Sequence, residues 1–271
     1  VLWARSAPGP WTDGELAIFE RQGFIVVDDL FDESEVAALT DALDRLVDDP
    51  EVRASERAVI EPESDEVRSV FEVHRLSDAF ARLAATDRLA DRARQILGSE
   101  VSVHQSRVNR KPAFRGRDFA WHSDFETWHL EDGMPAMRAV SASVTLTENT
   151  VLNGSLMLIP GSHRTFVGCP GETPEHHYRQ SLRDQQIGVP ADADLSALVA
   201  EHGIEVATGN PGSVLFFDCN LLHGSSSNIT PFPRSNVFFV YNSVENAVVE
   251  PFGGLPPRPS FVAARHVESL T

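Results

Sequence analysis

Within FAWHSDFETWHLEDG, Phe119 to Gly133, an imidazole and a carboxylate stand two positions apart, at His122 and Asp124. On an extended strand such a pair projects from one face, so both side chains reach one point, as two ligands of one metal ion must. H-x-D alone is a weak motif. A second imidazole with a marked context is His223, in GSVLFFDCNLLHGSSSN, where an apolar run ends and small residues follow at once. Eleven positions further on, Arg234 heads another apolar run from between Pro233 and Ser235. A guanidinium held at its base in this way forms bidentate pairs with carboxylates. Two neutral imidazoles and one carboxylate make the facial triad of non-haem Fe(II), which leaves coordination positions open. A chelating 2-oxo acid fills two of them and dioxygen the third. Zinc hydrolases use the same ligand types, yet that reading leaves Arg234 without a task. The other histidines (His74, His104, His129, His163, His176, His177, His202 and His266) are expected as surface or satisfied core residues.

The elements that must position these groups change character along the chain. Thr12-x-x-Glu15 and Asp32-x-x-Glu35 are capping boxes that open helices. The second carries Val36, Leu39, Leu43, Leu46 and Val47 on one face, and Asp49-Pro50 is expected to close it. Between them Gly23 to Leu30 reads as extended. The polar stretch from Arg53 to Arg68 has no period and reads as a long loop, and a helix from Thr86 to Leu97 stops at Gly98. From Val101 the period becomes two. Strands are expected at 101–109, 119–125, 138–147, 155–159, 204–207, 213–218 and 236–244, with Glu131-Asp132-Gly133 as a turn. An insert rich in charge and His, 163–203, with helical patches at 174–186 and 194–201, interrupts them. Many short strands behind a helical first hundred residues indicate a mainly β fold with flanking helices. One domain over 1–271 is expected, with a helical flank to 100 and a β core over 101–250.

The chain has 271 residues and a net charge of −17, from 40 acidic against 23 basic side chains. Such a surface repels phosphate backbones and anionic membranes, which disfavours nucleic-acid and membrane roles. No apolar run approaches the roughly 20 residues that span a bilayer. The start, VLWARSAPGPW, resembles neither a signal nor a transit peptide. The two cysteines, Cys169 and Cys219, form no C-x-x-C pair and are expected as buried free thiols. A cytoplasmic protein acting on a small molecule is the expectation, and a homodimer is left open.

Over nearly the whole chain, from Phe24 to Arg265, the sequence resembles the ectoine hydroxylases, a branch of the phytanoyl-CoA dioxygenase-like Fe(II)/2-oxoglutarate oxygenases. The stretches that carry the resemblance are FAWHSDFETWHLEDGMPAMRA, RSVFEVH, HQSRVN, NGSLMLIPGSH and DCNLLHGSSSNITPFPRSN. It implies a double-stranded β-helix (jelly roll, cupin-like) and iron bound by His122, Asp124 and His223. It also implies that Lys111 and Arg234 hold 2-oxoglutarate, that Gln105 contacts substrate, and that Thr127 and Trp128 line the pocket. The implied reaction is hydroxylation of ectoine to 5-hydroxyectoine with release of succinate and carbon dioxide. An indole face attracts a delocalised cation such as ectoine's amidinium. Arg110, Ala120 and Leu222 depart from the family pattern but spare every implied ligand. Two alternatives stay open: the same chemistry on another small amino or imino acid and, further off, a zinc hydrolase or a non-catalytic β-barrel binding protein.

Overall fold

The computed structural model describes residues 8–61, 65–169 and 188–270. Both capping boxes form. Thr12 and Glu15 close the start of α1 (Asp13–Gln22), and Asp32 and Glu35 that of α2 (Glu33–Asp48). Asp49-Pro50 does more than end α2: Asp49 caps a further helix, α3 (Pro50–Ala54), whose first position suits proline. The stretch expected as a loop up to Arg68 holds a hairpin of β2 (Ala58–Ile60) and β3 (Val67–Phe71). Its strands are too short to show a period. The helices α4 (Val73–Leu76) and α5 (Asp78–Ala85) follow, and then α6 (Asp87–Leu97), which ends at Gly98 with φ +59° as expected.

The remaining strands are β1 (Phe24–Val27), β4 (Val101–Lys111), β5 (Phe119–His122), β6 (Ala139–Thr145), β7 (Leu156–Leu158), β8 (Glu205–Val206), β9 (Val214–Asp218), β10 (His223–Ser225) and β11 (Arg234–Ser243). They form two antiparallel sheets, β1-β9-β6-β11-β4-β3-β2 and β5-β10-β7-β8, in the jelly-roll arrangement that the family resemblance implies. Period two decides what each face meets. In β9, Val214 and Phe216 turn to the helices, sharing a core with Leu39, Leu43, Phe80, Leu89 and Ile96. Leu215 and Phe217 turn the other way, into a smaller cluster with Leu158, Leu221 and Phe238. The helices are thus a buttress on the outer face of the large sheet, and the site lies on its inner face.

Several expectations need correction. The strand expected over 119–125 ends at His122, and Asp124 opens a helix, α7 (Asp124–Thr127). Ser123 makes no side-chain cap; its Oγ donates to Asn220 Oδ1 at 3.0 Å and the Phe125 N–H to the Cys219 carbonyl at 2.8 Å, so contacts with the turn after β9 outweigh the β-forming aromatics on either side. Glu131-Asp132-Gly133 is not a plain turn: Trp128–Asp132 forms a π-helical turn that Gly133 terminates at φ +80°. Val214–Phe217 does not run on to His223 either; the chain turns at 219–222, and His223 opens β10 in the other sheet. In the insert, a helix spans Asp192–His202, and the patch expected at 174–186 lies outside the described residues. Cys219 is buried, but Cys169 is only half-buried, and both are free. Among the described residues no helix is long and apolar enough to cross a membrane.

Candidate active site

His122 ends β5 and His223 begins β10, directly opposite each other in the antiparallel ladder. Their rings lie 4.2 Å apart between centroids. Asp124, two residues on, turns back toward them through the start of α7. Its Oδ1 is 3.7 Å from His122 Nε2, and its Oδ2 is 3.9 Å from His223 Nε2. One ligand atom from each of the three residues falls within 4.8 Å of the others, and all three are buried.

Each ring is oriented by its own backbone. His122 Nδ1 lies 2.8 Å from the Ala120 carbonyl, and His223 Nδ1 2.9 Å from that of Leu221. A carbonyl only accepts, so each Nδ1 must donate, which leaves the Nε2 lone pairs free and converging. Burial, with the His223 ring beside it, pushes the His122 imidazole down to about 3. That ring is therefore neutral at physiological pH, the form that ligates a metal. The donor set, tautomers and charge state fit a divalent ion with nitrogen and carboxylate ligands.

The adjoining cavity encloses about 630 Å³ of non-protein space, part of it open to solvent, and takes His122, His223, Lys111 and Arg234 into its wall. It is built on the register of β4 against β11, where Lys111 faces Arg234, Asn109 faces Asn236, Arg107 faces Phe238 and Gln105 faces Val240. Alternate residues of a strand share a face, so Gln105, Arg107, Asn109 and Lys111 form one polar row. Val108, Val237 and Phe239, of opposite parity, pack against the helices instead.

Arg234 is 3% exposed, and its Nε is buried with no hydrogen-bond partner. Burial alone holds its guanidinium down to about 10. Arg107 likewise keeps a buried Nε without a partner, and burial lowers it; its guanidinium lies over the Phe238 ring at 5.3 Å. Lys111 donates to Ser225 Oγ at 2.8 Å and to the Ser226 carbonyl. Burial, then Arg234, pushes it down to about 6. Among the described residues none of these basic groups has an ion-pair partner. A protein of net charge −17 thus buries two guanidiniums and an amine that an arriving anion would protonate beside the His/Asp cluster, a cradle for an anion that brings its own carboxylates.

The sequence-derived substrate residues are placed differently. Gln105, Thr127 and Trp128 do not line this cavity. Gln105 and Trp128 are buried, the indole edge-to-face with His104 at 5.3 Å between centroids. Conversely Arg107, Asn109, Phe119, Ser225 and Phe238 line the cavity and were missed. Counting back by two from Lys111 along β4 would have found Arg107 and Asn109.

With that geometry in place, comparison with known proteins is informative. The family model described as phytanoyl-CoA dioxygenase matches residues 19–236. The ectoine dioxygenase of Bordetella bronchiseptica is 57% identical over 98% of this chain and 89% of its own length. That of Halomonas elongata is 54% identical over 97% of this chain and 79% of its own. Crystal structures of EctD from S. alaskensis cover 99% of this chain and 88% of theirs. The one with 2-oxoglutarate and 5-hydroxyectoine has a TM-score of 0.87 at 51% identity, and the one with bound Fe has 0.85 at 49%.

Proposed function

As the chain belongs to the phytanoyl-CoA dioxygenase family, we propose that it hydroxylates ectoine to 5-hydroxyectoine, coupled to conversion of 2-oxoglutarate and dioxygen into succinate and carbon dioxide. One oxygen atom enters the product and the other enters succinate, so the reaction balances without a further reductant. The relatives named ectoine dioxygenase match nearly end to end, and EctD carries the same co-substrate and product. The observation that carries the reading in this chain is a converging His/Asp/His cluster beside a buried arginine that has no ionic partner among the described residues.

In this reading His122, Asp124 and His223 hold Fe(II), which when bound supplies the activation of dioxygen that no side chain can. The chain's own residues do the rest. The Ala120 and Leu221 carbonyls keep both imidazoles in the ligating tautomer. Arg234 receives the distal carboxylate of 2-oxoglutarate, and Lys111 adds a second cation at the same ladder position. Arg107 and Asn109 extend this polar row toward Gln105, and the substrate side is assigned, from the resemblance, to Gln105, Thr127 and Trp128, which lie outside the wall of the cavity itself. Burial of the whole cluster excludes bulk water, which strengthens each of these charge pairs. The proposal treats 1–271 as one domain working in the cytoplasm on a small molecule, not on nucleic acid or a membrane, with a homodimer as the assembly that sedimentation would test.

Aerobic incubation with Fe(II), 2-oxoglutarate and ectoine should give a product heavier by one oxygen, matched by succinate. Succinate release with another small amino or imino acid, and none with ectoine, would overturn the substrate assignment. Oxygen uptake independent of 2-oxoglutarate would overturn the reaction class.

A further inference from the structure

Arg234, Leu156 and Phe238 belong to the walls of two cavities at once. On one side lies the cavity that also takes in His122, His223 and Lys111. On the other lies a small second cavity, with room for about one water molecule. Its wall is a polar row across the inner face of the large sheet. Asn236, two positions from Arg234 on β11, shares its face. It stands opposite Thr145 of β6, whose N–H donates to the Ser213 carbonyl just before β9. Asn149, in the loop after β6, joins the row from the side and pairs through its backbone with Gly209.

Four polar atoms of the residues in this wall are buried without a hydrogen-bond partner: Arg234 Nε, Ser213 Oγ, Asn236 Oδ1 and Asn149 Oδ1. The amide nitrogens of the same asparagines are occupied. Asn236 Nδ2 donates to Ser143 Oγ at 3.2 Å and to Thr145 Oγ1 at 3.4 Å, and Asn149 Nδ2 donates to Thr145 Oγ1 at 3.3 Å. Hydroxyl oxygens take the nitrogens, and the amide oxygens are left over. Of the four remaining atoms, the guanidinium Nε and the serine hydroxyl donate, and the two amide oxygens accept. A water molecule accepts two hydrogen bonds and donates two. The set therefore matches a single water in number and in sign. Buried polar groups are seldom left unpaired in native proteins, and an internal water is the usual partner where no side chain reaches.

We propose that a single internal water sits behind Arg234, accepting from Arg234 Nε and Ser213 Oγ and donating to Asn236 Oδ1 and Asn149 Oδ1, and that Ser213, Asn236 and Asn149 are thereby positioning residues for the co-substrate. This rests on the reading above that Arg234 receives 2-oxoglutarate. Nε belongs to the planar guanidinium, so a bond that fixes it also fixes the plane in which the two Nη atoms meet a carboxylate. A neutral water orients the group and leaves its charge for the arriving anion, whereas an acidic side chain in the same place would pair with it. Such a bridge is nearly as favourable as a direct hydrogen bond. A small anion in the cavity would need donors on every side, and the occupied amide nitrogens do not supply them.

The test has a structural and a kinetic arm, both on the Fe(II)-loaded full-length protein. A high-resolution crystal structure should show an ordered water bonded to Arg234 Nε. A direct contact between Nε and a protein acceptor, or an anomalous signal at that place in crystals grown with bromide, overturns the proposal. In the kinetic arm, wild type is compared with Ser213→Ala, Asn236→Leu and Arg234→Met through KM for 2-oxoglutarate, KM for ectoine and melting temperature. Ser213→Ala removes one of the bonds to the water and should raise KM for 2-oxoglutarate about threefold. Asn236→Leu keeps the shape of the side chain without its acceptor and should raise it about tenfold, with KM for ectoine within about twofold in both. Should Asn236→Leu fail to fold, Ser213→Ala decides, since it deletes a single hydroxyl. A lowered melting temperature with unchanged KM for 2-oxoglutarate overturns the proposal. If Arg234→Met leaves KM for 2-oxoglutarate unchanged, the co-substrate reading fails first; if it raises KM and neither Ser213→Ala nor Asn236→Leu does, only the water's role fails.

Discussion

Replacing Arg234 by Met separates what this residue costs the fold from what it contributes to the reaction. A guanidinium ordinarily titrating near 12.5 is held at about 10 by burial alone. At 1.36 kcal/mol per pKa unit, keeping it charged costs the ligand-free protein about 3 kcal/mol. The sign follows from linkage: a base with a lowered folded pKa regains stability only as pH rises from about 10 to 12.5, so at pH 7 to 8 the cost is fully present and flat. Met has similar reach and no charge, so ligand-free Arg234→Met should be about 1–3 kcal/mol more stable than wild type, part of the gain being lost to imperfect packing. Binding should move the opposite way. Removing one partner of a buried charge pair costs about 2–5 kcal/mol, which raises KM for 2-oxoglutarate about 30- to 4,000-fold. Denaturant melts of the ligand-free protein give the first quantity, and succinate formation against 2-oxoglutarate concentration gives the second. A variant that is less stable than wild type while its KM for 2-oxoglutarate is unchanged would refute the reasoning, because Arg234 would then be a structural cation with a partner.

His122→Ala or Asp124→Ala should abolish turnover and bound iron while the melting temperature moves by only a few degrees; wholesale unfolding would mean a structural metal. Lys111, lowered from 10.5 to about 6, is a base that the unfolded chain protonates more readily between those values, so its contribution makes the ligand-free protein gain stability as pH rises through that window. An arriving dianion favours the ammonium form. Calorimetry at pH 8 in buffers of different ionisation heat should therefore detect proton uptake with 2-oxoglutarate, and Lys111→Met should remove it; equal heats in all buffers for wild type would contradict this. Gly133→Ala places a Cβ against the Val249 carbonyl at a φ of +80° and should cost about 2–4 kcal/mol of stability, read from denaturant midpoints.

Local physics was legible residue by residue. The boxes at Thr12 and Asp32, the glycine stop at Gly98 and the period-two strands after Val101 are written in neighbours a few positions apart, and apart from the strand expected over 119–125 they formed close to where expected. The types and spacing of His122, Asp124, His223 and Arg234 were enough to suggest Fe(II) and a 2-oxo acid, because ligand chemistry depends on which atoms a side chain carries. What the sequence could not decide were quantities that exist only between remote segments. Whether Asp124 stayed in a strand or turned into a helix depended on contacts with Cys219 and Asn220, and His122 met His223 only through the β5–β10 ladder. That Arg107 and Lys111 share a strand face could be counted in the sequence, but only the β4–β11 register set Lys111 against Arg234. The Arg258–Asp132 and Gln105–Val262 bonds join positions more than a hundred residues apart. Composition and spacing thus determined the chemistry available. The tertiary structure alone decided which charges would be buried without partners, since burial belongs to the folded assembly of segments and to no stretch of chain by itself.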